Sequence, residues 1–225
     1  VVDGDITSNK NIIIILNGIM MNTLSWEMFK EPLSKDNVLI RFDMFDQGQT
    51  DKMEEQYTQE IQVQLLKKLY EHLNIKKANL VGISYGASIA LQFSVKYPEL
   101  IEKMVIANGV AKTSPWLKSI GDGWNEVART RNGLAYYHIS IPYIYSPQFY
   151  NEKLEWMEER KKLLVPLFSN EIFLDSMIRL TISAETHDVI DKLDQFMVNT
   201  LIISSEQDYL TPVFEQVFMN QMMKN

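Results

Sequence analysis

The sequence predicts an α/β protein, a mostly parallel sheet wrapped by helices with a helical insertion between its last strands. Three observations carry this. Short apolar runs alternate with longer amphipathic segments over residues 12–107, the pattern of strands joined by helical crossovers. The run Ile12–Leu16 is wholly aliphatic, as a strand buried on both faces must be. Between Ala111 and Asp194 the alternation stops and aromatic residues and prolines take over.

Taken in order, Ile12–Leu16 is the first clear strand and Val38–Phe42 the second, ending in Asp43. Thr58–Leu73 predicts a helix, because Ile61, Leu65, Leu66, Leu69 and Leu73 recur at helical spacing with lysines and glutamates opposite. Ala78–Ile83 is the next strand. A helix follows at once and runs through Tyr97, where Pro98 ends it. Lys103–Ala107 and Thr200–Ser204 complete the visible strands. Val213, Phe214, Val217, Phe218 and Met222 mark a closing amphipathic helix. The stretch 111–194 holds Trp116, Trp124, Tyr136, Tyr143 and Trp156, and is broken by Pro115, Pro142, Pro147 and Pro166. Several short helices forming an inserted cap over one edge of the sheet are expected there, with residues 1–110 and 195–225 forming the core domain. Most of those aromatics are expected to pack the cap itself, and some to line a cavity beneath it.

Composition narrows the function. The 225 residues are 46% hydrophobic and 23% charged, with a formal net charge of −7, which argues against a nucleic-acid partner because phosphate binding needs a basic footprint. Lys67-Lys68, Lys76-Lys77 and Arg160-Lys161-Lys162 read as solvated faces. Absence of cysteine removes disulfides, thiolate catalysis and cysteine metal ligation, and a cytoplasmic location is the expectation. No apolar run is long enough to span a bilayer. No metal or organic cofactor is called for, since there is neither a phosphate-cradling glycine loop nor a cluster of metal ligands.

The sharpest motif is Gly82-Ile83-Ser84-Tyr85-Gly86, at a strand-to-helix junction. This is the G-x-S-x-G elbow, in which a tight turn demands glycines and exposes the serine hydroxyl as a nucleophile. With a buried strand before it and a helix after it, Ser84 is the candidate catalytic residue, and Gly82 and Gly86 shape the turn.

Around this elbow the chain resembles the α/β-hydrolase superfamily. Leu16-Asn17-Gly18-Ile19-Met20 lies where that family has its His-Gly loop, with Asn17 in place of the histidine. The resemblance implies an oxyanion hole made by the backbone N–H groups of Ile19 and Tyr85. The segment from Asp43 to Thr50 is similar to the family's Asp-x-x-Gly-x-Gly-x-Ser loop, with Asp46 where glycine is common. Leu201–Asp208 looks like the strand and turn that deliver the catalytic acid, which makes Asp208 the implied partner of Ser84; the alternative acid position holds Asn108. A base is also needed, because a serine hydroxyl is a weak nucleophile until an imidazole takes its proton. The family order is serine, acid, histidine, and no histidine follows Asp208. The others, His72, His138 and His187, lie upstream. His72 reads as a surface residue, His187 as structural, and His138 as a cap residue able to reach a pocket. The expectation is that a closing strand and helix, with the histidine between them, are missing from the sequence.

A serine at the elbow sets aside the dehalogenase and epoxide-hydrolase branches, which use aspartate there. The layout resembles small-molecule carboxylesterases and enol-lactonases, implying hydrolysis of a small, apolar carboxylic ester, thioester or lactone through an acyl-enzyme. A narrower similarity, carried by Asn17-Gly18, Met20, Thr23, Gly48-Gln49-Thr50 and Ile83–Gly86, is to the synthase that joins two hydroxyacyl chains in rhamnolipid precursors, which makes an acyltransferase the runner-up. From a different class, a non-catalytic hydrolase-fold binding protein stays open because no histidine follows Asp208.

Overall fold

The computed structural model describes residues 1–224. Its sheet has six strands: β1 (Val2–Asp3), β2 (Asn11–Leu16), β3 (Asn37–Arg41), β4 (Ala78–Ile83), β5 (Ile101–Ala107) and β6 (Thr200–Ile203). Their order is β1-β3-β2-β4-β5-β6, with β1 antiparallel to β3 and every other pairing parallel. The chain leaves β2 toward β3 on one side and lies beside β4 on the other. The carboxyl ends of β2 and β4, where Leu16 pairs with Gly82, therefore mark the switch point at which such sheets bind ligands.

Alternation along β2 divides the core. Ile14 and Leu16 join Ile40, Leu80 and Ile106 against α2 (Glu60–His72) and α3 (Tyr85–Lys96). Ile15 joins Leu39 and Trp26 on the opposite face, beside Leu33 of α1 (Glu27–Ser34). Helix α3 is buried almost all round, so it carries alanine, serine and glycine where a surface helix would carry charges. Between β5 and β6 run α4 (Pro115–Arg129), α5 (Gly133–Ile144), α6 (Pro147–Glu152), α7 (Leu154–Phe168) and α8 (Glu171–Ser183). Ser114, Asn132, Ser146 and Asn170 cap four of these helices by accepting from a first-turn N–H. Helix α9 (Val213–Met222) follows β6.

Strand positions match the sequence reading to within two residues, but two helices are rotated from it. The buried stripe of α2 is Gln62, Val63, Leu66 and Tyr70, while Ile61, Leu65 and Leu69 are only half-buried. Gln62 is drawn inward because its side-chain amide bridges both backbone polar groups of Phe45, at 3.1 Å each, which a leucine could not do. Helix α9 buries Gln216 and Met219, whereas Phe214, Val217, Phe218 and Met222, read as its inner face, are exposed. Gln216 again explains the turn: it accepts from Ser204 at 2.8 Å and donates to the Thr211 carbonyl at 2.6 Å. Among the described residues β6 pairs only with β5, and its Leu201 and Ile203 are exposed. Among the described residues, no helix is long and apolar enough to cross a membrane.

Candidate active site

Ser84 occupies the junction of β4 and α3 with φ 51° and ψ −114°, a conformation that costs an ordinary residue about 1–3 kcal/mol. Its surroundings hold it there. The Ser84 N–H donates to the Ala107 carbonyl at 3.0 Å, and its own carbonyl accepts from Ala87 at 2.9 Å. The flanking glycines make the turn sterically possible. A Cβ on Gly82 would stand 2.6 Å from the Gly86 carbonyl oxygen, and one on Gly86 would stand 2.2 Å from the Leu16 oxygen and 2.7 Å from that of Asn17. Gly86 thus lets the loop after β2 lie directly against the start of α3. That contact brings Gly18, Ile19 and Met20 to the same cavity wall as Ser84 and Tyr85. Among the described residues, nothing accepts the backbone N–H of Ile19 or of Tyr85.

The loop bearing Ile19 is fixed from below by Asn17, which is fully buried. Its amide donates to the Phe42 carbonyl at 3.1 Å and to Gln47 at 3.3 Å, and its oxygen accepts the Trp26 indole N–H at 2.7 Å. Gln47 completes the support by donating to the Gly18 carbonyl at 3.0 Å. The residue standing where the family has histidine therefore braces the loop. In the neighbouring loop, Asp43 accepts from the N–H groups of Thr23 at 2.8 Å and Gln49 at 3.1 Å. Asp46 has φ 66°, the left-handed conformation that explains why glycine suits this position. Its buried carboxylate meets Arg179 of α8 through both oxygens, the closest contact being 2.7 Å, and accepts from Ser176 at 3.1 Å. The Asp46 carboxylate holds the Arg179 guanidinium above its ordinary pKa.

Asp208 lies in the turn after β6 and lines the cavity that Ser84 lines. Its Oδ1 accepts from the N–H groups of Leu210 at 2.8 Å and Thr211 at 2.9 Å. Its Oδ2 accepts from the Thr211 hydroxyl at 2.8 Å and from the Asn108 side-chain amide.

The cavity encloses about 380 Å³, within the usual range for small-molecule sites. Apolar side chains of α4 (Leu117, Ile120, Trp124) and of the loop after β2 (Met20, Met21) dominate its wall. Gly121 sets how closely α4 approaches α8: a Cβ there would stand 2.7 Å from the Thr181 methyl. The charged Lys118 and Glu185, paired at 3.2 Å, also border the cavity.

Ser84, Ile19, Tyr85 and Asp208 thus meet at one cavity, with Gly82 and Gly86 packed behind them. None of the three histidines bonds Ser84 or Asp208. His72 is exposed at the end of α2. His138, read from sequence as able to reach a pocket, is exposed and packs edge-on against Tyr137; the helical phase of α5 turns Tyr137 inward and its neighbour out. His187 does line the cavity, but both ring nitrogens are engaged, Nε2 with the Val110 carbonyl at 2.9 Å and Nδ1 with Gln92 at 3.1 Å. Burial depresses its pKa, so the ring is neutral, donating from Nε2 and accepting at Nδ1. Gln92 donates in turn to Gln59 at 2.6 Å, Gln59 to Ser88 at 2.7 Å, and Ser88 to the Tyr85 carbonyl at 2.7 Å. This buried polar chain under the elbow has no local sequence signature, because its members come from four separate segments. Among the described residues, no group of three or more His, Cys, Asp or Glu side chains is placed to hold a metal ion.

Comparison with known proteins identifies the fold. The family profile described as the alpha/beta hydrolase fold matches residues 11–225. The structure is similar to MGS-M2, an alpha/beta hydrolase enzyme from a Medee basin deep-sea metagenome library, with TM-score 0.98 and 67% identity over 100% of this chain and 82% of that one. It shares its fold with the enol-lactonase from Burkholderia xenovorans LB400, with TM-score 0.81 and 19% identity over 99% of this chain and 83% of that one. A proline iminopeptidase of Lactobacillus acidophilus (strain ATCC 700396 / NCK56 / N2 / NCFM) is 30% identical over 119 residues, 50% of this chain. The chain spans less than half the length of curated relatives such as this one, 41% in its case. The elbow, the sheet order and the family match together establish that the chain belongs to the alpha/beta hydrolase fold family.

Proposed function

We propose that this protein is a serine hydrolase acting on a small, largely apolar carboxylic ester, thioester or lactone through an acyl-enzyme on Ser84. The observation that carries the reading is the elbow itself. A strained serine at a strand-to-helix turn lines a mostly apolar cavity, beside two N–H groups that no acceptor among the described residues takes. Ser84 Oγ would add to the substrate carbonyl carbon while its proton passes to a base. The N–H groups of Ile19 and Tyr85 would receive the charge that develops on the carbonyl oxygen. Collapse breaks the bond to the leaving group, which takes the proton, and water then releases the acid by the same steps in reverse order. Asp208 would orient the base. Among the described residues none of His72, His138 and His187 bonds Ser84 or Asp208, so this reading assigns the base to none of the three. Helices α4–α8, within the 111–194 segment, act in this proposal as a cap that shapes the acyl site.

The test is labelling of the whole protein by a fluorophosphonate probe, which reacts only with an activated serine. Labelling that disappears in Ser84→Ala is the expected result. An unlabelled wild-type protein would instead favour a non-catalytic binding role. Turnover of p-nitrophenyl esters of increasing length then separates hydrolysis, seen as rapid release, from acyl transfer, seen only with a hydroxyacyl thioester and acceptor.

A further inference from the structure

We infer that Asn108 is a positioning residue that holds the carboxylate of Asp208 in line for catalysis, an assignment that rests on the Ser84–Asp208 reading above. Asn108 stands at the carboxyl end of β5, one strand away from the Asp208 turn, and borders the same cavity. Its backbone N–H donates to the Ile203 carbonyl at 2.8 Å, which ties it to the end of β6. Its side-chain oxygen accepts from the Ser205 hydroxyl at 3.2 Å. That bond fixes the amide's orientation, so that Nδ2 faces Asp208 and donates to Oδ2. The backbone at Asn108 has φ 49°, a left-handed conformation that asparagine adopts more readily than most residues. Two hydrogen bonds and this backbone conformation therefore aim one neutral donor at one carboxylate oxygen.

The two oxygens of Asp208 are not equivalent. Oδ1 is held by two backbone N–H groups of its own turn, which cannot leave without unwinding that turn. Oδ2 is held by two side chains, and the Thr211 hydroxyl can rotate away. An imidazole N–H reaching the carboxylate would therefore share Oδ2 with Asn108. The amide then has two effects: it prevents the carboxylate from rotating about its Cβ–Cγ bond, and it adds no charge of its own.

The test is the rate and pH profile of fluorophosphonate labelling at Ser84 in the whole protein. Asn108→Gly removes the amide at a backbone angle glycine adopts freely, so its unfolding midpoint checks that the fold is intact. Its labelling rate should fall by about 10- to 100-fold, the size expected for a lost hydrogen bond to a charged group. Asn108→Asp preserves the shape but places a second carboxylate against the first. While the pair shares a proton the contact survives; once both ionise they repel. Labelling of this variant should fall as pH rises through that ionisation, giving a descending limb that the wild-type protein lacks. Wild-type labelling that is lost in Asp208→Asn but unchanged in Asn108→Gly, or an Asn108→Asp profile matching wild type, overturns the inference alone. No labelling of the wild-type protein overturns the underlying reading, and the inference with it.

Discussion

The elbow at Ser84 and the turn at Asp208 do the same geometric job by opposite means. Each follows a parallel strand and presents one polar side chain to the shared cavity. At the elbow the backbone is fixed by what is absent: Gly82 and Gly86 have no Cβ, and carbonyl oxygens occupy the space one would need. At the acid turn the side chain is fixed by what is present, four hydrogen bonds onto two oxygens. Steric exclusion tolerates no substitution and leaves a short sequence motif. A hydrogen-bonded cage can lose one member and survive, and one of its members here, Asn108, lies 100 residues away in the chain.

Breaking the elbow should produce the largest effect. Gly86→Ala drives a methyl into the backbone of the loop after β2, which cannot move without displacing buried Asn17 and its partners. A loss of about 3 kcal/mol is expected, read from urea unfolding, and a variant of wild-type stability would show that the loop yields freely. Next comes His187, which anchors the Val110 carbonyl two residues beyond Asn108. Its pKa in the folded chain lies below the ordinary 6.5 because burial opposes the charged ring. The unfolded chain therefore binds more protons as pH drops below that value, and stability declines with falling pH until the folded-state pKa is passed. Replacement by glutamine should flatten that acid-side decline, measured as the change in urea midpoint between about pH 7.5 and about pH 5.5. The smallest effect is expected at the acid turn itself. Thr211→Val removes one of four hydrogen bonds to Asp208 and should cost about 1 kcal/mol by thermal unfolding. A loss as large as that of Gly86→Ala would erase the distinction between the two regions.

The same contrast explains what the sequence made legible. The elbow turn and the strand-helix order could be read because each signal is local: Gly82 to Gly86 for the turn, and single apolar runs for the strands. The rotation of α2 and α9 could not be read, because hydrophobic spacing places leucine and phenylalanine inward and gives no weight to Gln62 and Gln216. Those glutamines are buried to satisfy the polar groups of Phe45, Thr211 and Ser204, which the tertiary fold alone brings within reach. Asn108 was legible only as a position without a carboxylate; its contact with Asp208 joins residues 100 apart in the chain. His187 read as structural from its place in the sequence, and both its ring nitrogens are bonded, yet its place in the cavity wall follows from a fold that sets it against Val110 and Gln92.

Gly121 gives the cavity an adjustable dimension. Helix α4 contributes Leu117, Ile120 and Trp124 to the wall, and it lies as near α8 as it does because no methyl group separates Gly121 from Thr181. Helix α8 is bolted to the core through Arg179 and Asp46, so a larger residue at position 121 would displace α4 rather than α8. All three wall residues would travel with it. The room available to a bound molecule is therefore tunable from a position far along the chain from Ser84, by side-chain volume alone.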